Sequence, residues 1–178
     1  DQLKPGLATD YEVLNDGLTY RFTLRDGVQF HSGNTMTCAD VDWSITYGLV
    51  TAAPEGATSY LLGGQFLGSQ QTGDDVEAYN AEVTWDELDG AVTCPEGPDG
   101  LVADLNIQAP DPAFLSVLAY TAFSVIDSEY AIENGVWDGT EATYQDWIGR
   151  DLTEEFLHRN PSGTGAYELV EWGDANMI

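Results

Sequence analysis

The chain has 178 residues, with 31 Asp and Glu against five Lys and Arg, a formal net charge of −26, and 43% hydrophobic residues. That apolar content sustains a core of its own and excludes charge-driven disorder, and the length fits one domain. So few cations cannot form a basic patch, which excludes phosphate-mediated binding to nucleic acid or anionic lipid, and no apolar run approaches the ~20 residues of a membrane span.

Alternation is clearest over residues 18–25, where Leu18, Tyr20, Phe22 and Leu24 face one way and Thr19, Arg21, Thr23 and Arg25 the other. This is a half-buried strand, flanked by turn signals at Asp16-Gly17 and Asp26-Gly27. A two-residue turn at Asp16-Gly17 pairs Val13 with Tyr20 and Tyr11 with Phe22, placing all four on one apolar face. The same turn at Asp26-Gly27 would push Val28 and Phe30 onto the polar face. A three-residue loop with Gly27 left-handed pairs Val28 with Leu24 instead and restores the core face. The expectation is a three-stranded meander over 11–31.

Thr37, with Asp40 three residues on, opens a helix whose buried stripe is Cys38, Val41, Ile45 and Leu49, with Gly48 weakening its last turn. Residues 51–80 read as a long irregular connection rich in Gly, Ser, Thr and Gln, around the apolar patch Tyr60-Leu61-Leu62. Leu101, Ala103, Leu105 and Ile107 mark a second alternating strand. Asp111-Pro112 opens a short helix with Phe114, Val117 and Leu118 at core spacing, and a further helix ends at Asn134-Gly135. Residues 140–159 read as two helical pieces around Gly149, with Trp147, Ile148, Phe156 and Leu157 inward, and Ala166 to Trp172 reads as a final strand. The chain opens at Asp1 without Met, signal segment or lipid-attachment Cys, and closes just after that strand. It reads as a piece of something longer.

Several blocks in order resemble one family. Pro5-Gly6-Leu7-Ala8, Tyr11-Glu12-Val13 and Asp16-Gly17-Leu18-Thr19-Tyr20 lead into Phe22-Thr23-Leu24-Arg25-Asp26-Gly27-Val28-Gln29-Phe30-His31-Ser32-Gly33. Thr37-Cys38-Ala39-Asp40-Val41, Ala109-Pro110-Asp111-Pro112-Ala113-Phe114-Leu115 and Pro161-Ser162-Gly163-Thr164-Gly165-Ala166-Tyr167 follow. Together they resemble the extracellular solute-binding protein family 5, the oligopeptide, dipeptide and nickel binders of ABC importers. Ala166 stands where the family has Pro, and the insert between Gly63 and Thr93 resembles a Gram-positive subset.

The resemblance implies an α+β fold, a small antiparallel meander with packed helices, like the first-lobe subdomain of a type II periplasmic-binding-protein fold. Residues 8–160 would be that subdomain and 161–178 a strand returning to the first lobe. It implies capture of a peptide or similar small solute, ABC permease subunits as partners, no cofactor, and an extracytoplasmic, lipid-anchored place for the longer protein. By position in the interlobe cleft, Tyr60, Leu61, Tyr120, Thr121 and Ala122 are its ligand-facing residues. In an exported protein the even pair Cys38 and Cys94 favours a disulfide, and two buried free thiols are the alternative.

A second class of function is an acidic extracellular enzyme or wall-associated module, glycosidase-like or calcium-binding. Nothing singles out the carboxylate pair that a glycosidase needs, and no EF-hand-like spacing, nucleophile elbow or phosphate loop is present. No CxxC or CxxH spacing supports zinc. His31 and His158 stand alone and read as structural or surface residues.

Overall fold

The computed structural model describes residues 4–51, 57–67, 83–148 and 150–171, with backbone alone for 57–61 and 122. Strand β1, Ala8–Leu14, pairs antiparallel with β2, Thr19–Leu24, in the expected register of Tyr11 with Phe22 and Val13 with Tyr20. The connection is wider than two residues. It turns through Asn15, Asp16 and Gly17, all at positive φ. Tyr11 and Val13 share the face of Tyr20 and Phe22 but are 46% and 51% exposed, because β1 lies at the sheet edge.

The third strand is not residues 28–31. Both edges of β2 are taken: β1 holds one, and β4, Val102–Asn106, pairs with the other through Tyr20 with Leu105 and Phe22 with Ala103. At the end of β2, Leu24 N–H donates to the Leu101 carbonyl, and just beyond it Arg25 N–H donates to that of Leu7. Residues 28–36 therefore fold into a tight loop with a single bridge between Gln29 and Thr35. Phe30 and Met36 of that loop are buried nonetheless. A short β3, Val92–Thr93, completes the order β1-β2-β4-β3.

Helix α1, Cys38–Thr51, starts where the capping residues place it: Asp40 Oδ2 accepts from Thr37 N–H at 2.8 Å. The predicted stripe is buried, but so are Trp43, Ser44, Tyr47 and Val50, so the helix is enclosed on nearly every side. One neighbour is α2, Ala57–Phe66, in the stretch expected to be irregular. Its Gly63-Gly64 disfavours helix locally, and tertiary packing overrides that preference. Gly48 permits the approach, since a Cβ there would lie 2.8 Å from Leu62 Cδ1. Ring contacts carry the packing onward: Phe66 meets Phe114 at 5.9 Å and Phe123 at 6.5 Å, and Phe114 meets Tyr20 at 4.7 Å.

Helices α3, Trp85–Asp89, α4, Phe114–Leu118, and α5, Ser128–Glu133, are short. Among the described residues, 140–159 hold less helix than expected, a 3-10 turn at Tyr144–Trp147 and α6, Phe156–Arg159. Trp147 is buried, whereas Ile148, Phe156 and Leu157 are half-buried. Residues 166–171 pair with no strand among the described residues, so the final strand of the sequence reading is not formed here; Trp172 lies outside them.

A disulfide joins Cys38 to Cys94, with the Cα atoms 5.8 Å apart, and decides the alternative left open by the sequence. It fastens the first turn of α1 to the loop between β3 and β4.

Candidate functional site

The turn at Thr121–Phe123 is built by opposed side chains. Phe123 is buried against Phe66 of α2, while Tyr120, which precedes the turn, is 52% exposed and Thr121 is exposed. The pattern follows from Ala119 and Ala122, which leave the aromatic residues as the only large groups to divide between core and solvent. The C-terminal end of α2 is held close by: Gln65 Nε2 donates to Asp111 Oδ2 at 2.8 Å, and Gln108 N–H donates to the Gln65 carbonyl at 3.0 Å. Tyr60 and Leu61 belong to α2 by backbone, and their side chains, like that of Ala122, lie outside the described residues.

Further along the chain, residues 126–130 are fixed by two buried carboxyl groups, those of Asp40 and Asp127. Asp40 Oδ1 accepts from the backbone and hydroxyl of Ser128 at 3.0 and 2.7 Å, tying α1 to the start of α5. Ser44 Oγ accepts from Ile126 N–H at 2.7 Å. Asp127, wholly buried, caps α5 by accepting from Tyr130 N–H at 3.1 Å. Its carboxyl also accepts from Asn34 Nδ2 at 3.0 Å, from Ser162 Oγ at 3.0 Å, and from Ser32 Oγ. Burying a carboxyl without a cation is tolerated because its acceptor sites are filled.

His31 has a structural part, as the sequence suggested. Its Nδ1 accepts from Gly163 N–H at 3.3 Å and its Nε2 lies 2.8 Å from the Gly165 carbonyl. Together with Asp127 it clamps Ser162–Gly165 to the loop after β2. His158 lies exposed on α6. Sequence reasoning missed the part played by Asp127: an Asp before a helix signals a cap, but three of its donors come from positions 93, 95 and 35 residues away. Among the described residues no group of three or more His, Cys, Asp or Glu could hold a metal ion.

Residues 2–178 match the family described as bacterial extracellular solute-binding proteins, family 5, middle. The chain belongs to this family. Over 98% of the chain it is 24% identical to the dipeptide-binding protein DppE of Bacillus subtilis, spanning 27% of that protein. It is 25% identical over 99% of the chain to the glutathione-binding protein GsiB of Salmonella typhimurium, spanning 25% of it. The substrate-binding domain of an oligopeptide ABC transporter from Bacillus anthracis superposes with a TM-score of 0.63 at 16% identity, covering 96% of this chain and 27% of that one. The fold is accordingly α+β and of the type II binding-protein kind, and the chain spans about a quarter of the length of these family 5 relatives.

Proposed function

We propose that the chain is part of an extracytoplasmic receptor of an ABC importer, which captures a peptide or similar small solute between two lobes and presents it to the permease. Family membership across residues 2–178 carries this reading. The dipeptide- and glutathione-binding relatives support a short peptide as the solute class. The alternative of an acidic enzyme or wall module has no support from a family of solute-binding proteins. In this reading residues 8–160 form a subdomain of the first lobe, 161–178 return toward the rest of that lobe, and a lipid anchor holds the longer protein at the membrane face. Tyr120 and Thr121, with Ala122 and with Tyr60 and Leu61 of α2, face the solute. The outward Tyr120 ring supports this role, because an amphipathic ring held on a packed turn offers contact area at low entropic cost.

Hinge closure would bury the solute between surfaces that each supply part of the contact. One subdomain alone leaves the solute half solvated while the association entropy, a term of several kcal/mol, is still lost. Calorimetry with di- and tripeptides tests this. The longer protein binds at micromolar level or better, and Tyr120→Ala weakens that binding by ~1–2 kcal/mol. The chain of residues 1–178 alone gives no measurable heat; tight binding by it would place the whole site within these residues and overturn the two-lobe reading.

A further inference from the structure

On the side of α1 marked by Asp42 and Trp43 runs a groove of about 210 Å³, walled by α1, α3, α5 and the loop that follows α5. Three indoles line it: Trp43 and Trp137 are buried and Trp85 is half-buried and the one most open to a ligand, with Trp137 lying 6.2 Å from each of the other two. Three carboxyl groups line it as well, Asp42, Asp89 and Asp138. No Lys, Arg or His is among the lining residues. Three of the five Lys and Arg residues are engaged elsewhere: Arg21 with Asp104 at 2.7 Å, Arg150 with Glu155 at 2.6 Å, and Arg25 with the Gly6 carbonyl at 3.0 Å.

We propose that this groove binds a small organic cation with an alkyl stem and a guanidinium head. A guanidinium stacks on an indole face and forks onto a carboxylate, so one group satisfies both kinds of wall. Asp42 gives the clearest reason. It is half-buried, its hydrogen-bonding partner is the Thr46 hydroxyl at 3.4 Å, and burial together with the nearby charge of Asp89 pushes its carboxyl up to about 6. A cation in the groove supplies the opposite charge that half-buried Asp42 lacks and offsets its repulsion from Asp89. Asp138 is held by the hydroxyls of Thr140 and Thr143 and adds charge at the mouth. The titratable groups facing Asp42 are Asp89 from α3 and Asp138 from the loop; α5 contributes Ser128 and Ile132, which do not titrate.

Butylguanidinium is the probe, titrated calorimetrically into the whole chain at physiological ionic strength. Saturable one-to-one binding is expected at pH 7, weaker by about tenfold at pH 5, one unit below the Asp42 value. Asp42→Asn weakens it by about tenfold or more, and Glu168→Gln, on the exposed run far along the chain, leaves it unchanged. No saturation up to about 10 mM overturns the proposal, as does an equal effect of the two substitutions, which would mean the general acidity of the chain is responsible. Should Asp42→Asn not fold, the indole N–H resonances of the unaltered chain decide: shifts at Trp85 on titration support the site, and their absence removes it.

Discussion

Two runs of the chain have a similar β-prone composition and meet opposite fates. Thr19–Leu24 is paired along both edges, with Tyr20 only 7% exposed. Residues 166–171 pair with no strand among the described residues, and Tyr167 and Val170 are 93% and 87% exposed. Aromatic and β-branched residues fit a pleated, half-buried surface wherever one is offered, and they do not create it. The surface for Thr19–Leu24 is supplied by β4, some 80 residues on, and by Phe114, whose ring lies 4.7 Å from that of Tyr20. Ser162–Gly165 reaches that body through His31 and Asp127, and over residues 166–171 all but the half-buried Leu169 are exposed.

The largest test of this contrast is the disulfide that braces the paired region. Replacing Cys38 and Cys94 by Ala should cost about 4 kcal/mol by the chain-entropy account, for a sequence separation of 56. Urea unfolding reads the loss, and hydrogen exchange locates it. Amides of β2 and β4 should exchange faster, while those of 166–171 stay as fast as before. A change in both regions would show that the run is held by the same body after all.

Much of the paired region was legible. The α1 stripe and the strands at 19–24 and 102–106 follow from local period and capping, and the packing agrees with them. What could not be read was which strand lies beside which. Val28 and Phe30 satisfy the period as well as Ala103 and Leu105 do, and only the distant, wholly buried Ala103 shows which run wins the second edge of β2. Helix α2 was hidden by Gly63-Gly64, whose local cost is outweighed by contact at Gly48. Tyr120 enters the candidate site only by position in a resemblance; the division between exposed Tyr120 and buried Phe123 is a property of the packed turn.

A second test acts at the junction between the two regions. Asp127→Ala leaves the hydroxyls of Ser32 and Ser162 and the amide of Asn34 without their acceptor, at a cost of about 3 kcal/mol. The amides of His31 and Ser32, which donate to the Gly163 carbonyl and to Ser162 Oγ, should lose protection first. Were they to keep it, the backbone contacts alone would be sufficient to hold Ser162–Gly165.

Within the paired region one group works against stability. The Asp42 carboxyl is raised to about 6 by burial and by Asp89, above its unfolded value of 3.8. Its favourable contribution is therefore present below about pH 4 and is lost as pH rises through 6. Asp42→Asn should be more stable than the parent chain by about 2 kcal/mol at pH 7, and the gain should shrink towards zero near pH 4. Melting curves at the two pH values check the sign, and a gain independent of pH would mean that Asn packs better for reasons unrelated to charge.

The smallest effect concerns the run that has the right alternation and still leaves the sheet. Gly27 sits at φ +70°, as the loop reading required, and the chain beyond it leaves β2 with Phe30 buried and Gln29 exposed. No atom lies within 4 Å of where a Cβ would stand, so a substitution there acts through backbone conformation alone. A β-branched residue disfavours that conformation most and Asn tolerates it best. Gly27→Val should thus cost ~1–2 kcal/mol and Gly27→Asn about half of that or less, measured as shifts in urea midpoint. Equal losses would mean that the positive φ is not what bends the chain there. The difference between the two variants therefore measures how much of the loop's stability rests on the positive φ of one residue, with both edges of β2 already occupied by β1 and β4.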